Sequence, residues 1–188
     1  EIAQEMVDFS KQQGGLLTLE DLADFHVEVE TPPSIDYKGT QVFTCGPWCQ
    51  GPVTIQALKI LEGFDLQTLG HNSADYLHIV IEALKLAFAD RHAYYGDPDF
   101  VDVPMKGLLD SDYASQRRKE IDMALAHPEM PYAGDPWPFE GRVNPSVKAK
   151  HPEPVGGPLP ADTSYISTVD RWGNAFSATP SDGIGAAP

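Results

Sequence analysis

Apolar residues recur at helical spacing through most of the first two thirds of the chain. The longest such pattern is NSADYLHIVIEALKLAFADRHAYYG, residues 72–96, which predicts one long helix. Asn72 or Ser73 can cap its start, and Gly96 ends it. The apolar residues spaced three and four apart predict a broad buried face, formed by Tyr76, Val80, Ala83, Leu84, Ala87 and Phe88. Leu77, Ile81 and Leu86 widen this face.

Three shorter helices are predicted from their ends. A capping box formed by Thr18 and Asp21 opens LEDLADF, because the Thr hydroxyl can accept from an orphan backbone amide. PVTIQALKILEGF begins with Pro52 near the first turn and ends at Gly63, the asymmetry typical of a helix. DYASQRRKEIDMALA predicts a further helix over 112–126.

Strand-like alternation is confined to two places. TPPSIDYKGTQVFT, residues 31–44, predicts two short strands, since Pro32-Pro33 forbids a helix there. TSYISTVDRWGNAFSAT, residues 163–179, predicts a β-hairpin in which 170–173 form the turn and Gly173 takes a positive φ.

The composition divides the chain into three segments. Residues 1–126 form a helical segment with short strands. Residues 127–161 contain nine of the 17 prolines, so we expect them to be extended or flexible and to form no helix. Residues 162–188 contain the hairpin. The sequence therefore predicts an α+β fragment that is mainly helical, with one β-hairpin.

The charge balance is strongly acidic, with 13 Lys and Arg against 28 Asp and Glu, a net charge of −15. It argues against nucleic acid or an anionic membrane as partner, because both attract a basic surface. No apolar run approaches the roughly 18 residues of a membrane span. The chain opens at Glu1 and stops in GIGAAP, so we expect it to be part of a longer protein.

Two cysteines, Cys45 and Cys49, lie in CGPWCQGP. We favour two buried or half-buried free thiols over a disulfide, because an extended run would hold their Cα atoms beyond bonding range. A bridge would require a tight turn, which Gly46-Pro47 could supply.

A metal site is a weak interpretation of the polar residues on the long helix. His78 and Glu82 lie four apart, but no second cluster of ligands accompanies them. We therefore favour local pairing of His78, Glu82 and Lys85 along the helix, with Asp90 and Arg91 as a further pair.

Thr163 follows the Pro-rich stretch and begins a strand, where cleavage before it would create an N-terminal nucleophile. A threonine hydroxyl needs a nearby base, and a free α-amino group on the same residue can act as one. From the residues alone, a strand that simply begins with Thr remains the alternative.

The hairpin sequence resembles the start of the small subunit of γ-glutamyltransferases (γ-glutamyl transpeptidases). That family has Thr-Thr-His, a strand ending in Val-Asp, and Gly-Asn-Ala. The resemblance extends in the same order to the end of the large subunit, through GGLLTLEDLADF, GPWCQGP with its helix, and HIVIEALKLAFADRHAYYGDPDF. The cysteines of GPWCQGP depart from the Ser/Gly-rich form common in the family, which indicates a divergent branch.

The resemblance implies roles for particular residues. Thr163 falls on the nucleophile, and the bond between Asp162 and Thr163 falls on the site of autocatalytic cleavage. Ser181 falls on a second hydroxyl residue that hydrogen-bonds the amine of the nucleophile. Gly183 falls where many members have a substrate-binding Asn, so it bears on donor and acceptor specificity.

The resemblance also implies an N-terminal-nucleophile hydrolase with a four-layer αββα sandwich in the whole protein. After self-cleavage, Thr163 would pass a γ-glutamyl group from a glutathione-like amide to water or an amine, with no metal or organic cofactor. The chain's partners would be that small-molecule substrate and the remainder of its own large and small subunits. We expect the 188 residues alone to be uncut and inactive. A related amide acylase, and a non-catalytic scaffold or binding homologue, remain the alternatives.

Overall fold

A computed structural model describes residues 1–145, 161–179 and 181–183, with only the backbone described at 161–163 and 181–183. The described chain is a mixture of helices and small antiparallel sheets, which confirms the α+β class. The helices are α1 (Ile2–Gln12), α2 (Leu19–Asp24), α3 (Gly51–Leu61), α4 (Ala74–Tyr94), α5 (Met105–Leu108), α6 (Ser111–Arg118) and a 3-10 helix (Trp137–Glu140). The strands are β1 (Ser34–Tyr37), β2 (Thr40–Phe43), β3 (Ala161–Thr163), β4 (Ile166–Val169), β5 (Ala175–Ala178) and β6 (Ser181–Gly183).

The chain divides into two compact units. The smaller unit contains Glu1–Val29 and Val155–Pro188, and the larger contains Glu30–Pro154. The three compositional segments, 1–126, 127–161 and 162–188, stay a prediction about how the chain is organised. None of the helices in the described residues is long and apolar enough to cross a membrane.

The core of the larger unit forms where α3 and α4 pack together with α6. Each fully buried Ile or Leu side chain there contributes about 1.5–3 kcal/mol relative to an exposed one. The start of α3 confirms the predicted proline position, with Pro52 in its first turn. The buried members of the core cluster are Ile60, Leu61, Ile79, Ala83, Leu86 and Ala114.

The buried face of α4 differs from the predicted one. Ser73 caps the helix by accepting from the backbone amide of Tyr76, as expected, and Ala83 and Ala87 are buried. Three residues assigned to the apolar face are substantially exposed instead, namely Leu77, Ile81 and Leu84. The difference arises because Glu82 and Asp90 are fully buried. A pattern of apolar residues alone does not include polar residues that are buried together with their partners.

The helix predicted over 112–126 is too long, because α6 ends at Arg118. The Arg118 guanidinium donates to the carbonyls of Lys59 and Ile60 at the end of α3. The chain then leaves the helix and turns, with an isolated bridge between Asp122 and Leu125. The end of α6 is therefore fixed by contacts to α3, whose residues lie far from α6 in the sequence.

Part of the Pro-rich segment packs closely against the helices. Trp137 is 2% exposed and lies against Tyr94, Leu108 and Tyr113. It opens the 3-10 helix Trp137–Glu140, so the expectation of no helix in 127–161 is wrong for these residues. Proline is tolerated there because the first positions of a helix have no intrahelical partner for their amides.

The smaller unit begins with α1 and α2. The capping box is confirmed: the Thr18 hydroxyl accepts from the Asp21 amide, and the Asp21 carboxylate accepts from the Thr18 amide at 2.8 Å. A hydrogen bond from the Thr18 hydroxyl to the Asp21 carboxylate, and then the one from the Thr18 amide, lower the pKa of the Asp21 carboxyl. Val7 of α1 is fully buried.

Candidate active site

The candidate site lies on the hairpin that follows the Pro-rich segment, and its turn is built by Asp170 and Asn174. The Asp170 amide donates to the Asn174 carbonyl at 2.9 Å, and the Gly173 amide donates to the Asp170 carbonyl at 3.1 Å. Gly173 has φ +85°, as predicted. The loop therefore has three residues, a type of connection in which the last position takes the left-handed conformation.

The Asp170 carboxylate holds this turn together. It accepts from the backbone amides of Trp172 and Asn174 and from the Asn174 side chain, at 2.8–2.9 Å. These bonds, with that from the Asn174 side chain the largest, lower the pKa of Asp170. The turn thus keeps the Asp170 carboxylate ionised, with hydrogen bonds to both of its oxygens. These bonds fix the residues at which β4 ends and β5 begins.

The turn sets one continuous register along the hairpin. Val169 pairs with Ala175 at the turn, and Ile166 pairs with Ala178 at the far end of β4 and β5. β3 and β6 pair in the same register, with no slip across the short gap between the two ladders. Register is a strong constraint, since a shift by one residue moves every side chain to the opposite face.

Thr163 and Ser181 are direct partners in this ladder. Residues opposite each other in an antiparallel pair share a face, with Cβ atoms about 4.5–5.5 Å apart. Gly183, which pairs with Ala161, lies on the same face two residues from Ser181. The structure therefore brings together the three positions singled out for catalysis and substrate binding.

Asp162 pairs with Asp182, so the position before the expected cleavage point faces a second acid. The sequence interpretation missed Asp182. Counting outward from the Asp170–Asn174 turn would have found it, because the uninterrupted register links the two positions. The bond between Asp162 and Thr163 lies within β3, inside the paired part of the hairpin.

The apolar side chains of the hairpin are largely exposed. Ile166, Val169, Trp172 and Phe176 are 53–72% exposed. Tyr165, which stands where the resembled family has His, accepts a hydrogen bond from the Ser177 hydroxyl at 3.1 Å. Hydrogen bonds to Ser177 and then to Ser167 lower the pKa of Tyr165. The hairpin thus presents an uncovered apolar surface.

The polar residues of α4 pair differently from the prediction. Glu82 does bind Lys85 at 2.7 Å, but its second oxygen binds His127 rather than His78. His78 Nε2 instead lies 2.8 Å from the carbonyl of Asp122. Asp90 likewise does not pair with its neighbour Arg91; its ionic partner is an arginine of α6. Within the part of the chain that the structure describes, His, Cys, Asp and Glu form no group of three suited to a metal.

The sequence profile of the gamma-glutamyltranspeptidase family matches residues 1–186. The glutathione hydrolase proenzyme of Escherichia coli (strain K12) is 39% identical over 181 residues, which cover 95% of this chain and 27% of that protein. The chain therefore belongs to the gamma-glutamyltranspeptidase family. It spans about three tenths of the length of the curated relatives it matches.

Solved structures agree with this assignment. The crystal structure of Helicobacter pylori gamma-glutamyltranspeptidase has a TM-score of 0.65 and 34% identity, over 68% of this chain and 37% of that one. The crystal structure of a cephalosporin acylase from Bacillus halodurans has a TM-score of 0.65 and 38% identity, over 72% of this chain and 24% of that one. Both a transpeptidase and an acylase thus share this part of the fold.

Proposed function

We propose that this chain carries the nucleophile of a self-processing γ-glutamyl transferase or hydrolase, and that Thr163 is that nucleophile. The observation that supports the proposal best is the register pairing of Thr163 with Ser181. It places two hydroxyl residues on one face of the ladder, beside the bond expected to be cut. A nucleophilic residue with a second hydroxyl residue opposite it suits acyl transfer.

Self-cleavage would use the same hydroxyl. Thr163 Oγ attacks the Asp162 carbonyl carbon, and its proton passes to the departing amide nitrogen. The C–N bond breaks, which leaves Asp162 attached to Oγ as an ester. Water then hydrolyses the ester, restores the hydroxyl and leaves a carboxyl group on Asp162. The free α-amino group of Thr163 is the product that matters, because it becomes the base of the mature site.

The mature reaction would be acyl transfer in two steps. Thr163 Oγ attacks the γ-carbonyl of a γ-glutamyl amide such as glutathione, and the amine leaves after receiving a proton. Water or an amine acceptor then takes the γ-glutamyl group from Oγ. The α-amino group carries the proton in both steps, and Ser181 holds that amine by a hydrogen bond. The chemistry calls on no metal or organic cofactor.

The whole protein would form the four-layer αββα sandwich of N-terminal-nucleophile hydrolases. This proposal is supported by the exposed apolar residues of the hairpin, which require further strands to cover them. The remainder of the large and small subunits would supply those strands and the rest of the substrate site. Gly183 offers no side-chain amide where many members have Asn, so donor and acceptor preference should differ from theirs.

A direct test follows the processing of the full-length protein by intact mass. We expect two fragments, the second beginning at Thr163, and turnover of γ-glutamyl-p-nitroanilide. Thr163→Ala should abolish both, whereas Thr163→Ser should retain part of both, because serine keeps the hydroxyl and loses one methyl group. A Thr163→Ala protein that still splits before residue 163 would show that another group is the nucleophile. A wild-type protein that stays uncut would favour the non-catalytic homologue.

An amide acylase is the second candidate, favoured by the 38% identity to a cephalosporin acylase. Two chromogenic amides separate the two activities, since γ-glutamyl-p-nitroanilide and glutaryl-p-nitroanilide differ only in the α-amino group. A higher kcat/KM for the γ-glutamyl compound supports the transferase, and a higher value for the glutaryl compound supports the acylase. In either case the Thr163→Ala variant provides the background.

A further inference from the structure

Cys45 directly precedes, and Cys49 ends, one tight turn that leads into α3. The Cys49 amide donates to the Gly46 carbonyl at 3.2 Å, which closes the turn. The Cys49 thiol donates to the same carbonyl at 3.4 Å and accepts from the Gly51 amide at 3.3 Å. A Cβ atom added at Gly51 would lie 2.9 Å from the Cys45 carbonyl oxygen, so the backbone of Cys45 lies beside the residue whose amide binds Cys49 Sγ. The turn that a bridge would require is therefore present, although both thiols are free.

The two thiols differ in their surroundings. Cys45 is exposed, contrary to our expectation, whereas Cys49 is half-buried. Burial raises the pKa of the Cys49 thiol. Both thiols line an open cavity of about 720 Å³, together with Trp48, Arg91 and Tyr95. A small molecule in that cavity can reach the exposed Cys45 thiol first, and the Cys49 thiol lines the same cavity.

We propose that Cys45 and Cys49 form a thiol–disulfide exchange site for low-molecular-weight disulfides. Cys45 attacks as the thiolate, which forms a mixed disulfide and releases the first thiolate of the small molecule. Cys49 then attacks the Cys45 sulfur, which forms the Cys45–Cys49 disulfide and releases the second thiolate. The protein loses two electrons and two protons, and these convert the small disulfide into two thiols.

The surroundings of Cys49 suit the second step. The Gly51 amide, at the start of α3, already donates to Cys49 Sγ and would stabilise the thiolate that attacks. Cys45 and Cys49 both lie beside Gly51 in the same chain, so this step is intramolecular and should exceed the reaction with a second small thiol by roughly tenfold or more. The bridge closes only the few residues of the turn, so α3 and α4 need not move.

The test uses the full-length protein and bis(2-hydroxyethyl) disulfide, which has no γ-glutamyl group and is independent of the proposed enzyme activity. Samples are quenched in acid, alkylated and digested with trypsin. Both cysteines fall in the single peptide 39–59, between Lys38 and Lys59. We expect this peptide to lose two hydrogens and to carry no alkyl group. A dithiol peptide, or one with two separate adducts, would overturn the proposal.

Two variants and one free peptide serve as matched controls. Cys49→Ser should accumulate a stable mixed disulfide on Cys45, because no second thiol resolves it. Cys45→Ser should acquire its adduct roughly tenfold more slowly, because Cys49 is less accessible. Equal rates in the two variants would contradict the assigned order of attack. A synthetic peptide 39–59 should oxidise more slowly than the protein, and an equal rate would show that the folded turn contributes nothing.

Discussion

Asp90 and Arg117 form an ion pair inside the larger unit, with 3.4 Å between Oδ1 and Nη2 and side chains that are 0% and 2% exposed. The Asp90 carboxylate also accepts from the Tyr113 hydroxyl, the Gln56 amide and the Gly134 backbone amide, at 2.5–2.8 Å. Burial raises the pKa of Asp90, while the charge of Arg117 and these donors oppose the rise. The pair joins α3, α4 and α6 to the Pro-rich segment.

Arg117→Met should destabilise the protein strongly. It leaves Asp90 buried without a countercharge, which costs about 3–5 kcal/mol. The control is Asp102→Asn, because the pair of Asp102 with Arg142 is about half exposed and should contribute little to stability. Urea unfolding measures both free energies. Equal decreases in the free energy of unfolding of the two variants would show that the buried pair contributes no more to stability than the exposed one.

Glu82 should make the stability depend on pH in the acid range. Burial alone would raise its pKa, but hydrogen bonds from Lys85 and then His127 lower the pKa from 4.5 to about 2. Because the folded pKa lies below the ordinary value, the stabilisation is complete above about 4.5 and is lost as the pH falls towards 2. The free energy of unfolding should therefore decrease across that window.

Glu82→Gln tests this dependence, because the amide does not titrate. Urea unfolding at several pH values should show a shallower decrease between about 4.5 and about 2 than in the wild type. The exposed Glu28→Gln variant serves as the control and should keep the wild-type slope. An unchanged slope in Glu82→Gln would mean that other groups produce the acid dependence.

Gly173→Ala should slow the proposed self-cleavage of the full-length protein. The residue has φ +85°, and a left-handed conformation costs a residue with a Cβ about 1–2 kcal/mol. Weakening the turn loosens the register that pairs Thr163 with Ser181, so processing should slow by up to roughly tenfold. Gly173→Asn is the matched control, since Asn tolerates this conformation better and should process faster than the alanine variant. The fraction processed over time, read by intact mass, decides between them.

Ser181→Ala should still fold and should still give detectable processing fragments. The rate of acyl transfer should decrease. Loss of one hydroxyl contact to the Thr163 amine should cost about 1–3 kcal/mol, roughly fivefold to more than a hundredfold in rate. Ser181→Thr keeps the hydroxyl and should retain most of the activity. Ser177→Ala, in β5 on the same arm of the hairpin, should match the wild type in kcat. Unchanged kinetics in Ser181→Ala would remove Ser181 from the proposed site.

The elements predicted correctly are those whose signals are local. The Thr18–Asp21 capping box, the proline at the start of α3 and the turn at Gly173 each depend on residues a few positions apart. The backbone conformation they require is determined by their own side chains, so a short stretch of sequence is sufficient. For the same reason the hairpin register can be derived outward from its turn.

The interactions that sequence reasoning missed join residues far apart along the chain. Glu82 and His127 are 45 residues apart, and Asp90 and Gly134 are 44 apart. Neither spacing matches a known motif. An acidic residue in a helix is predicted to be exposed unless its buried partner is known. The end of α6 was missed for the same reason, since Arg118 binds carbonyls 58 and 59 residues earlier.

The close approach of the Pro-rich segment to α6 has an evolutionary consequence. A Cβ atom at residue 134 would lie 2.3 Å from the Tyr113 hydroxyl oxygen and 2.9 Å from Arg117 Cδ, so only glycine fits. The amide of that glycine donates to Asp90, which in turn depends on Tyr113 and Arg117. A substitution at any one of these four positions removes an interaction or a close contact that constrains the other three. Among descendants of this chain they should covary, and a lineage that lost one should show the rest drifting soon afterwards.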